Sequence, residues 1–146
     1  MSIFNSMDIS ASGLTAQRLR LDVISNNIAN VNTTRTEEGG PYRRERVVFQ
    51  ERRDANSFNG FLSKAINSQS ATGVRALAIE KDPSPLKPVY DPSHPDADPA
   101  GYVMMPNVNT VTEMVDMISA ARSYEANITS INSAKNMLSK TLEIGK

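Results

Sequence analysis

A chain of 146 residues has room for one ordinary domain, or for an elongated helical part carrying a small extra module. Sixteen basic and sixteen acidic residues cancel, so no global charge selects nucleic acid or an anionic membrane. An aromatic content of 5% without Trp is thin for a compact enzyme core, and the lack of Cys excludes disulfides and thiol chemistry.

The N-terminal stretch, from residue 2 to about 31, has helical periodicity. Met7, Leu14, Leu21 and Ile28 recur in sevens, with Ile24 and Val31 at the companion position. Ile9, Ala16, Leu19 and Val23 form a second apolar stripe on roughly the opposite side. A helix apolar on two sides has packing partners on two sides. The first stripe is assigned to pairing within the chain and the second to neighbouring subunits. No apolar h-region follows Met1 and the first basic residue is Arg18, so no cleaved secretory signal is expected. No apolar run approaches the ~20 residues that span a bilayer, so membrane insertion is not expected.

The helix ends in an unusual cluster, Asn26, Asn27, Asn30 and Asn32. Asn competes for backbone groups and favours caps, which accounts for one or two of the four. Asn26 and Asn30 stand four apart on one face, where carboxamides can bond a neighbouring helix or loop.

Between the two helical ends the pattern turns to strands. Val47, Val48 and Phe49 follow a Gly39-Gly40-Pro41 turn and predict a strand within Tyr42–Glu51. Asp54 to Gly73 is rich in Asn and Ser and reads as an excursion, with a short helical turn near Phe61–Ile66. Gly73–Lys81 reads as a strand with both faces partly covered. Seven of the eight prolines fall from Pro83 to Pro106, which predicts an extended, irregular segment, followed by a short strand at Tyr102–Met105.

The C-terminal stretch is the longest periodic element. Met114, Ala121, Ile128, Lys135 and Leu142 recur in sevens, as do Met117, Tyr124, Ile131 and Leu138 three residues on; only Lys135 breaks the a/d pattern. Thr110 and Glu113 have capping-box spacing after Pro106, and Gly145 can end the helix. Val108, Val111, Val115 and Ile118 widen the seam in its first half. From Thr110 to Leu142 such a helix spans roughly 50 Å at 1.5 Å per residue, so it needs a partner of similar length. The fold expected is α+β: long N- and C-terminal helices (residues 1–33 and 107–146) paired as a coiled coil, with a small β-rich module at 34–106.

Sites for chemistry are few. His94 lies among Asp91, Asp96 and Asp98, but Pro92 and Pro95 work against converging ligands and favour a solvated turn or an interface contact over a metal. Six Arg against five acids from Arg35 to Asp54 nearly cancel, and no aromatic platform accompanies them, which argues against nucleic acid. Residues Asp82 to Gly101 carry four Asp against Lys87, a local charge that suits subunit docking or a solvated surface equally. No Ser/His/acid set or glycine-rich phosphate loop is present. No enzymatic activity, cofactor, metal or small-molecule substrate is expected.

The run Ser25-Asn-Asn-Ile-Ala-Asn-Val-Asn-Thr-Thr34 resembles the N-terminal signature of the bacterial flagellar axial proteins, the rod and hook subunits. Most rod proteins continue with Gly-Tyr-Lys; this chain continues Arg35-Thr-Glu-Glu-Gly-Gly-Pro-Tyr-Arg-Arg-Glu-Arg46, and is similar instead to the proximal rod members. Val89 to Asp98, Gly101 to Asn109, Glu113 to Asp116 and Ala121 to Asn127 agree with that resemblance. It implies a structural drive-shaft subunit whose partners are itself, other rod proteins and the flagellar type III export apparatus. It also implies export across the inner membrane without cleavage, terminal helices forming a tube, and a β module facing outward. The alternative is a soluble cytoplasmic coiled-coil adaptor, which explains the heptads but not the Asn-rich helix end. Candidate assembly residues on the first helix are Leu14, Leu19, Leu21, Val23, Asn26, Asn27, Ile28, Asn30 and Asn32. On the last helix they are Val111, Met114, Val115, Ile118, Tyr124, Ile128, Ile131 and Leu138.

Overall fold

The structure is a computed structural model that describes residues 3–52 and 73–144. The element order is α1 (Ile3–Ala29), β1 (Glu45–Glu51), β2 (Val74–Lys81), β3 (Lys87–Tyr90), β4 (Tyr102–Met105) and α2 (Thr110–Ile144). This is the α+β arrangement expected, two long helices with a small β module between them. The helical turn near Phe61–Ile66, the Asn/Ser-rich excursion around it and the stop at Gly145 lie outside the described residues.

Each helix ends on asparagine chemistry. At the end of α1 the Asn30 N–H still reaches Asn26 O at 3.1 Å, while Val31 N–H turns to Ile28 O at 3.3 Å. The Asn30 carboxamide donates to the same Asn26 O and to Asn26 Oδ1, both at 2.9 Å, and so folds back onto the last turn. At the start of α2, Asn109 Oδ1 accepts the N–H groups of Val111 at 3.0 Å and Thr112 at 3.5 Å. Asn109 is therefore the N-cap. The expected Thr110–Glu113 capping box does not form, because the Glu113 carboxylate is drawn inward to a guanidinium.

β1 pairs with β2 in one two-stranded sheet and β3 with β4 in another. The β3–β4 pair is antiparallel, with Tyr90 opposite Tyr102 and Pro88 opposite Met104. β3 is a correction to the irregular segment expected there. A two-stranded ribbon has only edge strands, and an edge tolerates the missing N–H of Pro88. The turn between them relies on Gly101 at φ +81°, where a Cβ would come within 2.8 Å of the Tyr90 ring. Tyr90 and Tyr102 then meet edge to face at 5.3 Å.

The chain divides into two compact units. In the first (residues 1–18, 49–77 and 121–146) α1 and α2 run antiparallel along a seam of small residues. Ser10, Ala16 and Ala134 are buried there, and Ser10 Oγ lies 3.4 Å from Ser130 Oγ. At Gly13 an added Cβ would stand 3.0 Å from Asn127 Nδ2, so the helix backbones approach where side chains are smallest. Ser12 Oγ donates to Ile9 O at 2.6 Å and accepts the Val74 N–H at 3.1 Å, tying β2 to α1. Gly73, at φ +92°, makes room for that hydroxyl.

In the second unit (residues 19–48 and 78–120) the buried residues are Val23, Ile24, Asn27, Val103, Pro106, Val108, Glu113 and Ala120. The helices are again antiparallel, with Arg20 against Asp116 and Asn27 against Glu113.

The seam corrects two expectations. On α2 the buried heptad series is Glu113, Ala120 and Ala134, with half-buried Asn127 between, one residue before the Met114 series. Met114, Ile128 and Leu142 are exposed, whereas Met117, Tyr124, Ile131 and Leu138 are half-buried, as a seam series should be. On α1, Ala16 and Val23, assigned to neighbouring subunits, face inward, while Met7, Leu14, Leu21 and Ile28 are half-buried at the flank. Ile24 is buried as expected. The physical reason is close approach: small and hydrogen-bonding side chains occupy the contact line, so the bulkier aliphatic residues are displaced to its sides.

Candidate assembly interface

Asn27 is the best connected of the four clustered asparagines. Its Nδ2 donates to Glu45 O at 2.8 Å and to Glu113 Oε2 at 3.0 Å. Its Oδ1 accepts the Glu45 N–H and the Tyr42 hydroxyl, both at 2.9 Å. One carboxamide thus joins α1, the start of β1 and α2 with its hydrogen-bonding capacity filled. Asn26 and Asn30 bond chiefly each other; Asn26 also reaches Tyr42 Oη at 3.4 Å, and Thr33 donates to Asn30 at 3.1 Å. Asn32 is exposed.

Glu113 is fully buried, 0% exposed, and its charge is met by Arg44, whose Nε lies 2.6 Å from Oε1. Arg44 also reaches Asp116 Oδ2 at 3.3 Å and Asp82 Oδ2 at 3.7 Å, and Asp116 accepts Arg20 at 3.3 Å. Burial works against the charge on Arg44, but the hydrogen bond and charge of Glu113, followed by Asp116 and Asp82, outweigh it and raise its pKa. The Tyr42 phenol beside this cluster is pushed up to about 12, first by burial and then by the carboxylates of Glu45 and Glu113.

That shift has a definite sign. Above the ordinary tyrosine pKa of 10.0 the unfolded chain releases the proton while the folded chain keeps it. Stability attributable to Tyr42 is therefore flat below about pH 10 and falls as pH rises toward about 12. Urea midpoints measured across this range show the loss in the native chain, and Tyr42→Phe flattens it; parallel declines in both proteins contradict the assignment.

A different chemistry occupies the outer side of α2. Val111, Met114, Val115 and Ile118 follow i, i+3, i+4, i+7 spacing and are exposed by 70%, 55%, 62% and 56%. Ile128 is exposed as well, and Tyr124, Ile131 and Leu138 are half-buried. On α1, Leu14, Leu19, Leu21 and Ile28 are half-buried, while Val23 and Asn27 are spent within the subunit. The predicted residues thus divide into internal ones and an outward apolar stripe. Sequence reasoning missed Arg20, Tyr42, Arg44, Glu113 and Asp116 as a connected group. The only signal was Glu113 and Asp116 spaced i, i+3 on a helix, with Arg44 hidden inside a basic run.

The acidic turn is hydrogen-bonded locally. Asp91 accepts the Ser93 N–H at 3.1 Å and hydroxyl at 2.6 Å, which lowers its pKa, and Thr34 donates to Asp96 at 2.8 Å. His94 Nδ1 accepts the Asp96 N–H at 3.1 Å. Among the described residues no group of three or more acidic, His or Cys side chains is placed to hold a metal, and no helix is long and apolar enough to cross a membrane.

Two family profiles match the helical ends: "Flagella basal body rod protein" over residues 7–35 and "Flagellar basal body rod FlgEFG protein C-terminal" over residues 100–144. Proteins named flagellar basal-body rod protein FlgC are similar along the whole chain. That of Borreliella burgdorferi is 55% identical over 99% of this chain and 98% of its own length. Those of Bacillus subtilis and Salmonella typhimurium are 47% and 41% identical, each covering 100% of both chains. The chain belongs to the FlgC family of flagellar basal-body rod proteins. It is a structural rod subunit of the flagellar basal body, a setting in which rod proteins assemble with other rod components, and the cytoplasmic adaptor reading is set aside. The Asn-rich end of α1, where the resemblance was first legible, falls inside the first matched segment of this FlgC-family subunit.

Proposed function

We propose that this FlgC-family subunit builds the proximal rod, assembling with its own copies and other rod proteins into the shaft that crosses the periplasm. It reaches that place through the flagellar type III export apparatus with its N-terminus intact. Residues 1–33 and 107–146 supply the tube-forming helices and residues 34–106 the outward module. The role is mechanical, with no reaction catalysed and no small molecule bound.

The observation that carries this reading is the stripe Val111, Met114, Val115 and Ile118. Four large aliphatic side chains line one face of a helix whose opposite face is already used within the subunit. Such a face costs solubility in a lone chain and finds its purpose when a neighbour covers it. Repeated heterologous contacts of this kind, unclosed, generate a tubular array.

Val115→Asp tests it. The carboxylate stands in water in the free subunit, so helicity by circular dichroism and secretion through the export route stay at native levels. In the rod it is buried without a partner, which costs several kcal/mol, roughly 3 or more, and incorporation fails. Normal motility in this variant overturns the reading.

A further inference from the structure

We propose that Arg44 is a positioning residue for assembly: by neutralising buried Glu113 it holds the first turns of α2 in the rotation that turns Val111, Met114, Val115 and Ile118 outward. The claim rests on the docking role of that stripe and adds what controls its presentation.

The geometry places control and docking on opposite sides of the same turns. At about 100° per residue, Glu113 and Ala120 point away from the stripe, and the pattern of burial agrees, both being 0% exposed. Glu113 therefore acts as the rotational stop of the helix start. Its carboxylate has two partners, the Arg44 guanidinium and the Asn27 carboxamide, and only the first carries charge.

Arg44 is itself fixed at the backbone. Its N–H donates to Asn107 Oδ1 at 2.8 Å, and its carbonyl accepts the Asp82 N–H at 2.7 Å. Asn107 lies three residues before α2 and also donates to Asp82 O and Ser84 O, both at 3.2 Å. The segment entering β1, the turn after β2 and the residues leading into α2 thus converge on one residue, Arg44, whose backbone is held by Asn107 and Asp82 while its guanidinium reaches Glu113. Asp116, one turn beyond Glu113, takes a second contact from it.

Without Arg44 the Glu113 charge is left buried beside a neutral amide. A buried carboxylate stripped of its cation regains water only if the helix start rotates or unwinds, and either motion turns the docking stripe away. The stripe is then presented only when the segment leading into β1 is seated. Arg44 influences docking without touching the neighbour, which separates it from an interface residue.

The test uses the full chain in three forms: native, Arg44→Met, and Arg44→Met with Glu113→Gln. Glutamine removes the buried charge and keeps an acceptor for Asn27. Amide exchange is followed at residues 114–120 and 128–140, and incorporation into the rod is scored with a secretion check. In Arg44→Met, exchange at 114–120 accelerates at least about a hundredfold while 128–140 changes by less than about threefold, and incorporation is lost. The double variant regains most of both. Unchanged exchange at 114–120 in Arg44→Met overturns the proposal, as does uniform loss along α2, which marks Arg44 as a general stabiliser. A double variant that recovers protection but not incorporation overturns it too. Normal incorporation of Val115→Asp overturns the docking role first and the positioning claim with it; the exchange pattern tells that failure from one in which Arg44 does not hold the turn.

Discussion

Val23→Asp unfolds much of the subunit, whereas Leu21→Asp leaves it folded. Val23 is 7% exposed in the second unit, where Ile24, Asn27 and Ala120 are buried as well, so a carboxylate introduced there is buried too. An unpaired buried charge costs about 3–5 kcal/mol, a large part of the 5–15 kcal/mol that holds a domain together. Leu21 is half-buried, so its aspartate reaches water and the loss is mainly partial apolar burial, about 1 kcal/mol. Circular dichroism and urea unfolding of the two purified variants decide the matter. Equal midpoints, or a less stable Leu21→Asp, contradict the inward placement of Val23.

The second large effect belongs to Asn27. Asn27→Leu fits the volume of the site but leaves the Glu45 N–H and carbonyl, the Tyr42 hydroxyl and one Glu113 oxygen each without the bond it had. Each unsatisfied buried group costs about 1–3 kcal/mol, and relaxation toward water recovers only some of it, so a net loss of about 3–5 kcal/mol is expected. Asn30→Ser changes a cap whose bonds are local and exposed, and costs at most about 1 kcal/mol. Thermal unfolding of both variants measures the contrast. A mild Asn27→Leu means that the carboxamide is not the junction of α1, β1 and α2.

These two cases also show where the sequence was legible. Helical periodicity located both long helices, a β-branched run located β1, alternation located β2 and a short apolar run located β4, because each pattern is local. The identity of the seam was not local. Counting apolar residues in sevens selected Met114, Ala121, Ile128 and Leu142, yet the contact line is made of Glu113, Ala120, Asn127 and Ala134. A hydrophobic count favours the series with the larger side chains, and it treats glutamate as solvent-facing unless its cation is known. That cation, Arg44, lies 69 residues away and sits in a run that reads as a charged surface. β3 was missed for a related reason: proline density argues for irregular chain, and only pairing with Tyr102–Met105 makes Lys87–Tyr90 a strand. The asparagine cluster was recognised as special from its density, but which member bonds across elements depended on Tyr42 and Glu45 being brought beside Asn27. The outward stripe was legible as apolar material in excess of one helix pair, and its spacing survives in the structure.

A mechanical role for the Val111–Ile118 face of α2 requires that it be covered when the subunit is in the rod. The chain has no native cysteine, so Val115→Cys places a single thiol on that face. Its rate of reaction with a water-soluble maleimide is measured in the free subunit, in purified basal bodies and in denaturant. Labelling of the free subunit is rapid, as befits a side chain 62% exposed, and is slowed by at least about a hundredfold in the assembled rod and restored by denaturant. Labelling in intact basal bodies at the rate of the free subunit contradicts that role.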